Sequence, residues 1–229
     1  MHFGINLGGG DLRGQSREEG LAARLAKARL AKDMGYHSLW TGAGYLNNDF
    51  HAMMLLARVA AEAPGLELGM VALLPLYHPV EAAELSATLD VMTGGKFVFG
   101  VGQGYRDVEF TSFGIPRGNR GGRLDEAVAM IRKLWVEDDI DWKGDHFTLD
   151  GVSINPKPIQ KPHPPLWSAC SSENTTRTAA ELGLGALGRG VLQFSFGSAQ
   201  GNGLLGHFDA LVGQVGQLVD FLLVFTVHV

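Results

Sequence analysis

A chain of 229 residues with 45% hydrophobic side chains is long enough to bury one sizeable core, and its 24 acidic and 19 scattered basic residues argue against a nucleic-acid partner. A single cysteine excludes an intramolecular disulfide framework. The longest late apolar run, residues 218–229, is interrupted by Asp220 and His228 and is too short to cross a bilayer. An opening without a basic segment and apolar h-region completes the expectation of a cytoplasmic protein with one domain over residues 1–229.

Residues 2–7 read as a first strand and residues 8–14 as a loop. Ser16-Arg17-Glu18-Glu19 is a capping-box pattern, after which Leu21, Leu25, Ala28, Ala31 and Met34 repeat at helical spacing until Gly35. Residues 38–41 form a second strand. Asp49 is placed to cap a second helix with Met53, Leu56 and Ala60 on one face, stopped by Pro64-Gly65. Residues 67–74 are the third strand, and Pro79 opens a third helix where its missing N–H costs nothing. Gly94-Gly95 closes that helix ahead of a fourth strand at residues 97–100, with Gly102 and Gly104 beyond its end. Strand starts near residues 2, 38, 67 and 96 lie about thirty apart, the repeat of βα units in a parallel sheet.

A helix over residues 120–135 continues the series, and then the alternation breaks. Residues 140–144 and 146–150 predict a small hairpin, followed by the proline-rich NPKPIQKPHPP, an excursion expected over a barrel face rather than in its wall. Residues 166–169 resume as a fifth strand, 173–182 as its helix and 186–196 as a sixth strand region. Glycine occupies six positions between 197 and 216, and 221–229 is apolar and strand-like, a sheet-edge pairing segment that predicts dimerisation or aggregation. About six βα units are recognisable. The expected fold is α/β, a (β/α)8 TIM-barrel-like wall that is incomplete, with residues 190–229 divergent or truncated.

Sites in such barrels collect where strands end, so the residues just past each strand carry the weight. Cys170-Ser171-Ser172-Glu173 opens a helix, and its amides, hydroxyls and dipole suit a phosphate, although Ser171 or Ser172 can equally serve only as the helix cap. Arg123 either reaches an anion or pairs with Asp125 or Glu126 on a solvated helix face. His78, beside Pro79, reads as a helix-entry residue, and Cys170 as a small buried hydrophobe. Asp107 and Glu109 read as solvated loop carboxylates. The eight histidines show no metal-ligand spacing, so no metal site is expected.

Four blocks in order, LAARLAKARLAKDMGYHSLW (residues 21–40), HPVEAAELSATLDVMTGGKFVFGVGQGY (78–105), RGGRLDEAVAMIRKLW (120–135) and PKPIQKPHPPLWSACSS (156–172), resemble the bacterial luciferase-like flavin-dependent oxidoreductases over roughly four-fifths of the chain. The resemblance implies a barrel that uses reduced FMN or a deazaflavin coenzyme, a small organic substrate and a flavin reductase as partner. It implies that Ser171 and Ser172 grip the cofactor phosphate, that Arg123 is directed toward it, and that Gly102, Gln103 and Gly104 face the ring edge and ribityl chain. It places a non-prolyl cis peptide near Ala72, against the ring. Two departures stand out: Gly102-Gln103 replaces the luciferase cysteine and arginine, and Ala43-Gly44-Tyr45 lacks the acidic residue and two histidines found after the second strand. The second departure keeps a non-catalytic flavin-binding protein open as the alternative.

Overall fold

In the computed structural model, which describes residues 4–8, 14, 16–47 and 49–188, the elements run β1 (Gly4–Asn6), α1 (Arg17–Asp33), β2 (Ser38–Gly42), α2 (Ala52–Glu62), β3 (Glu67–Leu73), α3 (Pro79–Met92), β4 (Phe97–Gly102), α4 (Asp107–Ser112), α5 (Arg120–Val136), β5 (Ile140–Lys143), β6 (Thr148–Val152), β7 (Leu166–Cys170), α6 (Glu173–Glu181) and β8 (Gly185–Gly188). Six strands form one sheet in the order β1-β2-β3-β4-β7-β8, with every neighbouring pair parallel. Strands β5 and β6 make a separate antiparallel hairpin. The α/β, TIM-barrel-like architecture expected from the thirty-residue spacing is therefore present, with six parallel strands among the described residues.

Period-two alternation sorts the strand residues onto two faces. Phe97, Phe99 and Val101 join Leu68, Met70, Ala72, Leu166 and Cys170 in the large core shared with the helices, while Val98, Trp40 and Leu187 form a second cluster with Val71 and Trp167 on the opposite, inner face. The inner face is concave. Strands spaced about 4.8 Å apart would separate β2 from β7 by about 14 Å in a flat sheet. Trp40 of β2 and Trp167 of β7 nevertheless bring their ring centroids to 6.0 Å. Gly69 of β3 makes room, since a Cβ there would lie 2.4 Å from the Trp40 indole.

Local signals set the helix starts as expected. Ser16 Oγ accepts from the Glu19 N–H (3.1 Å) and Glu19 Oε2 accepts from the Ser16 N–H (3.0 Å), the reciprocal pair of a capping box. His78 caps α3, its Nδ1 accepting from the Val80 N–H at 3.3 Å with Pro79 at the first helical position. Asp49, by contrast, does not cap α2, which begins at Ala52. Its carboxylate accepts from the Phe50 N–H (2.7 Å) and pairs with buried Arg24 (2.6 Å). A long-range ion pair has outcompeted a local cap.

The excursion stays outside the wall. Glu126 of α5 accepts from Trp142 Nε1 (3.0 Å) and from the His146 and Phe147 amides (2.9 and 3.1 Å), which pins the hairpin tip to the helix and delays β6 by two residues relative to the expected 146–150. The proline-rich segment runs at the amino end of the sheet: Asp90, fully buried, accepts from the Ile159 and Gln160 amides (2.7 and 3.0 Å), and Gln160 Nε2 donates to the Phe97 carbonyl (2.8 Å). Of the expected strand over 186–196, residues up to 188 are seen in β8; its remainder, the stretch 197–216 and the segment 221–229 lie outside the described residues.

Candidate functional site

Parallel strands turn all their carboxyl ends to one side, and there the loops after β2, β3 and β4 are tied into a single rim. Arg106 and Glu109, at the start of α4, grip the backbone of Tyr45 from both sides. The Tyr45 N–H donates to Glu109 Oε1 (2.9 Å), and Arg106 Nη1 donates to the Tyr45 carbonyl (2.9 Å) and to Glu109 Oε1 (3.1 Å). Glu109 is 2% exposed, which corrects its reading as a solvated carboxylate. Asp107 is exposed and paired with Arg117. Gly44 leaves room for the clamp, because a Cβ there would stand 2.5 Å from Asn47 Nδ2 and 3.7 Å from Glu109 Oε1.

The Tyr45 ring lies 4.6 Å from Phe113 and 6.1 Å from Tyr77, centroid to centroid. Tyr77 is 4% exposed, and its hydroxyl has no hydrogen-bond partner among the described residues. Burial, then the Tyr45 hydroxyl and Glu81, push the Tyr77 phenol far above its usual range. Burial likewise raises Tyr45; the Tyr77 hydroxyl opposes that rise, and Glu81 and Glu109 add to it. Both phenols therefore keep their protons at neutral pH. The spacing of Arg106 and Glu109 at i and i+3 was the one sequence signal for the clamp; nothing local marked Tyr77.

Gly102 is the last residue of β4 rather than lying past it, on the inner face, and a Cβ there would be 3.6 Å from the Ala169 Cβ of β7. Gln103 comes next, its Nε2 4.0 Å from where a Cβ on Gly121 would stand, so it reaches the amino end of α5. Gly104 follows with φ +75°, against the Phe110 ring. Ala72 is fully buried, its side chain packed toward the helices. The cis peptide expected beside it is not found: among the described residues the cis bonds are Asn155-Pro156 and Lys161-Pro162. Ala72 sits instead in regular register opposite Val101.

Arg123 departs from both expected partners. Its Nε donates to the Pro75 carbonyl (3.1 Å), and its guanidinium lies 4.6 Å above the Phe147 ring. Burial lowers its pKa while Glu126 opposes the fall. Ser172 caps α6, its Oγ accepting from the Thr175 N–H (3.3 Å), and the Ser171 and Ser172 amides both donate to Thr175 Oγ1 (3.0 Å). Cys170 is buried in the helix-facing core. The structure thus joins Gly102 to the β7–α6 turn on adjacent strands and sets Arg123 apart, toward the end of β3.

A flat ligand with an anionic tail fits this end of the sheet. Residue 102 carries no side chain on the inner face, Trp40 and Trp167 floor that face, and the α6 amino end offers exposed hydroxyls and first-turn amides within a favourable helix dipole. Among the described residues, no three His, Cys, Asp or Glu side chains converge as a metal site, and no helix is long and apolar enough to cross a membrane.

A family profile of luciferase-like monooxygenases matches residues 1–195. Over 188 residues the chain is 26% identical to the oxygenase component of the flavin-dependent trigonelline monooxygenase of Acinetobacter baylyi, covering 80% of this chain and 51% of that protein. Over 166 residues it is 28% identical to the F420-dependent glucose-6-phosphate dehydrogenase of Amycolatopsis mediterranei, covering 68% and 49%. The crystal structure of monooxygenase RslO1 from Streptomyces bottropensis superposes with a TM-score of 0.74 at 28% identity, covering 81% of this chain and 59% of that one. The chain spans about half the length of the curated relatives it matches.

Proposed function

The chain belongs to the luciferase-like monooxygenase family, and from that premise we propose that it is a flavin-dependent oxidoreductase or monooxygenase acting on a small organic substrate. The cofactor is reduced FMN, with a deazaflavin coenzyme as the alternative; one relative is named for a flavin and another for F420. When bound, it supplies the electrons, and the protein supplies binding, orientation and exclusion of water. Ser171 and Ser172 hold the phosphate with the first-turn amides of α6, a step that requires the Thr175 hydroxyl to release the two serine amides. Arg123 contributes positive charge from the amino end of α5. The backbone of Gly102, Gln103 and Gly104 borders the ring, and the chain beside Ala72 closes its far side.

The observation that carries this reading is the β4–β7 register, with Val101 opposite Ser168, which sets the glycine-bearing end of β4 beside the amino end of α6. The absorbance spectrum of the protein purified from its source tests it. A flavin or deazaflavin band bound to the chain supports the reading; a protein that neither carries such a chromophore nor takes one up on reconstitution overturns it. The term oxygenase component in one relative's name supports a separate flavin reductase as electron donor, and we extend the proposal to a cytoplasmic single-domain homodimer.

Ala43-Gly44-Tyr45, standing where luciferase carries an acidic residue and two histidines, favours a second reading, a non-catalytic flavin-binding protein. Turnover separates the two: a flavin-loaded chain that accelerates neither oxygen consumption nor oxidation of a reduced partner with aldehyde, ketone or sulfur substrates is the binding protein.

A further inference from the structure

We propose that the β5–β6 hairpin, outside the barrel wall, holds Arg123 as an unpaired cation for the anionic tail of the cofactor, with Phe147 and Glu126 as positioning residues; the inference rests on the functional reading above and deepens it. Arg123 and Glu126 stand at i and i+3 on α5, a spacing at which opposite charges ordinarily pair. Here no ion pair joins them. Glu126 turns both carboxylate oxygens to the hairpin instead, Oε1 accepting from Trp142 Nε1 (3.0 Å) and the Phe147 N–H (3.1 Å), and Oε2 from the His146 N–H (2.9 Å). Gly144 permits the approach, since a Cβ there would collide with Glu126 Oε1. The hairpin thus draws away the carboxylate that would neutralise Arg123.

The same hairpin fixes the guanidinium in place. Arg123 Nε donates to the Pro75 carbonyl (3.1 Å), and the guanidinium carbon lies 4.6 Å from the centroid of the buried Phe147 ring, which His78 meets edge-on at 5.5 Å. Those contacts occupy one edge and one face of the fork. Its two terminal nitrogens have no hydrogen-bond partner among the described residues, while burial already works against the charge. An arginine held at its root with its outer nitrogens open is preorganised for parallel bonds to a phosphate; without the ring, the side chain would have to be ordered as the anion binds. Gln103, the residue after β4, reaches the same first turn of α5, which sets that turn beside the glycine-bearing strand end.

The test titrates the full chain anaerobically with reduced FMN and with reduced riboflavin, which has the same ring and no phosphate. The deazaflavin coenzyme and its phosphate-free deazariboflavin fragment make a second pair. Within a pair, the affinity ratio reads the hold on the anionic tail, and binding of the phosphate-free member shows that a variant is folded. Arg123→Lys keeps the charge without the fork and is expected to lower the ratio on the order of tenfold. Phe147→Leu is expected to lower it by about threefold to tenfold, and Phe147→Tyr, which keeps the ring face, to preserve it. In the Arg123→Lys background Phe147→Leu should add nothing, a coupling that a merely structural hairpin would not show. Phe147→Met, closer in volume and equally without a ring face, replaces Phe147→Leu if that variant fails to bind the phosphate-free ligand. A ratio that survives Arg123→Lys, a ratio that survives loss of the Phe147 ring, or a ring effect equally large without Arg123 overturns the proposal. Flavin binding with no preference for the phosphate removes this inference alone, whereas a chain that binds none of the four ligands removes the functional reading and this inference with it.

Discussion

The rim after β2 and the amino end of α6 lie at the same end of the sheet and are built in opposite ways. At the rim, Glu109 reaches 64 residues back to the Tyr45 N–H, and its carboxylate is almost completely desolvated. At α6, each hydrogen bond of the cap joins residues no more than four apart, and Ser171 and Ser172 remain exposed. On the cofactor reading proposed above, the difference separates two tasks. A wall that must keep its shape is fixed by buried long-range bonds, whereas donors that must exchange a local partner for an incoming anion have to stay near water, where the exchange is cheap.

Breaking the rim should have the largest effect. Glu109→Ala strands the Tyr45 N–H and leaves Arg106 without its carboxylate, and a loss of about 2–3 kcal/mol is expected in urea unfolding. Glu109→Gln, whose amide oxygen still accepts from Tyr45, should recover about half of that. Equal effects from the two variants would show that the charge, not the backbone bond, holds the rim. On the other side, Ser172→Ala removes only a side-chain cap whose hydrogen bond is 3.3 Å long. The expected cost is about 0.5–1 kcal/mol, read in the same urea experiment. A Ser172→Ala loss as large as that of Glu109→Ala would abolish the contrast.

The smallest effect sharpens the comparison through charge. Asp125 of α5 has a buried oxygen, Oδ1, without a hydrogen-bond partner among the described residues, and burial, with Glu181 adding to it, raises its pKa. Because the folded state holds this proton more tightly than the unfolded chain, stability should fall as pH rises from the ordinary carboxylate range through the raised value, with no further change above it. Asp125→Asn should flatten that part of the stability–pH profile relative to wild type, and an unchanged slope would place the titration elsewhere.

The same division accounts for what the sequence disclosed. The Ser16–Glu19 box, the His78-Pro79 helix entry and the strand spacing depend on neighbours a few residues away or on a simple repeat, and all were legible. Asp49 misled because its competitor, Arg24, is 25 positions earlier. Glu109 looked solvated because its partner lies on another strand's loop, and α4, six residues long, is too short for helical periodicity to show. Gly102 looked like a turn residue, whereas pairing with Leu73 keeps it in β4. The regular trans geometry around Ala72 also reflects this pairing, which residue type alone does not reveal.

The central claim is that the concave face between β2 and β7 receives a flavin-type ring whose phosphate is held at α6. Trp40 and Trp167 lie on that face, so anaerobic titration of the full chain with reduced FMN, and separately with the deazaflavin coenzyme, can be followed by their fluorescence. Saturable quenching by one of the two, weakened on the order of tenfold in the Ser171→Ala, Ser172→Ala double variant, is the predicted result. Saturable quenching that the double variant leaves untouched, or none with either cofactor, would contradict it.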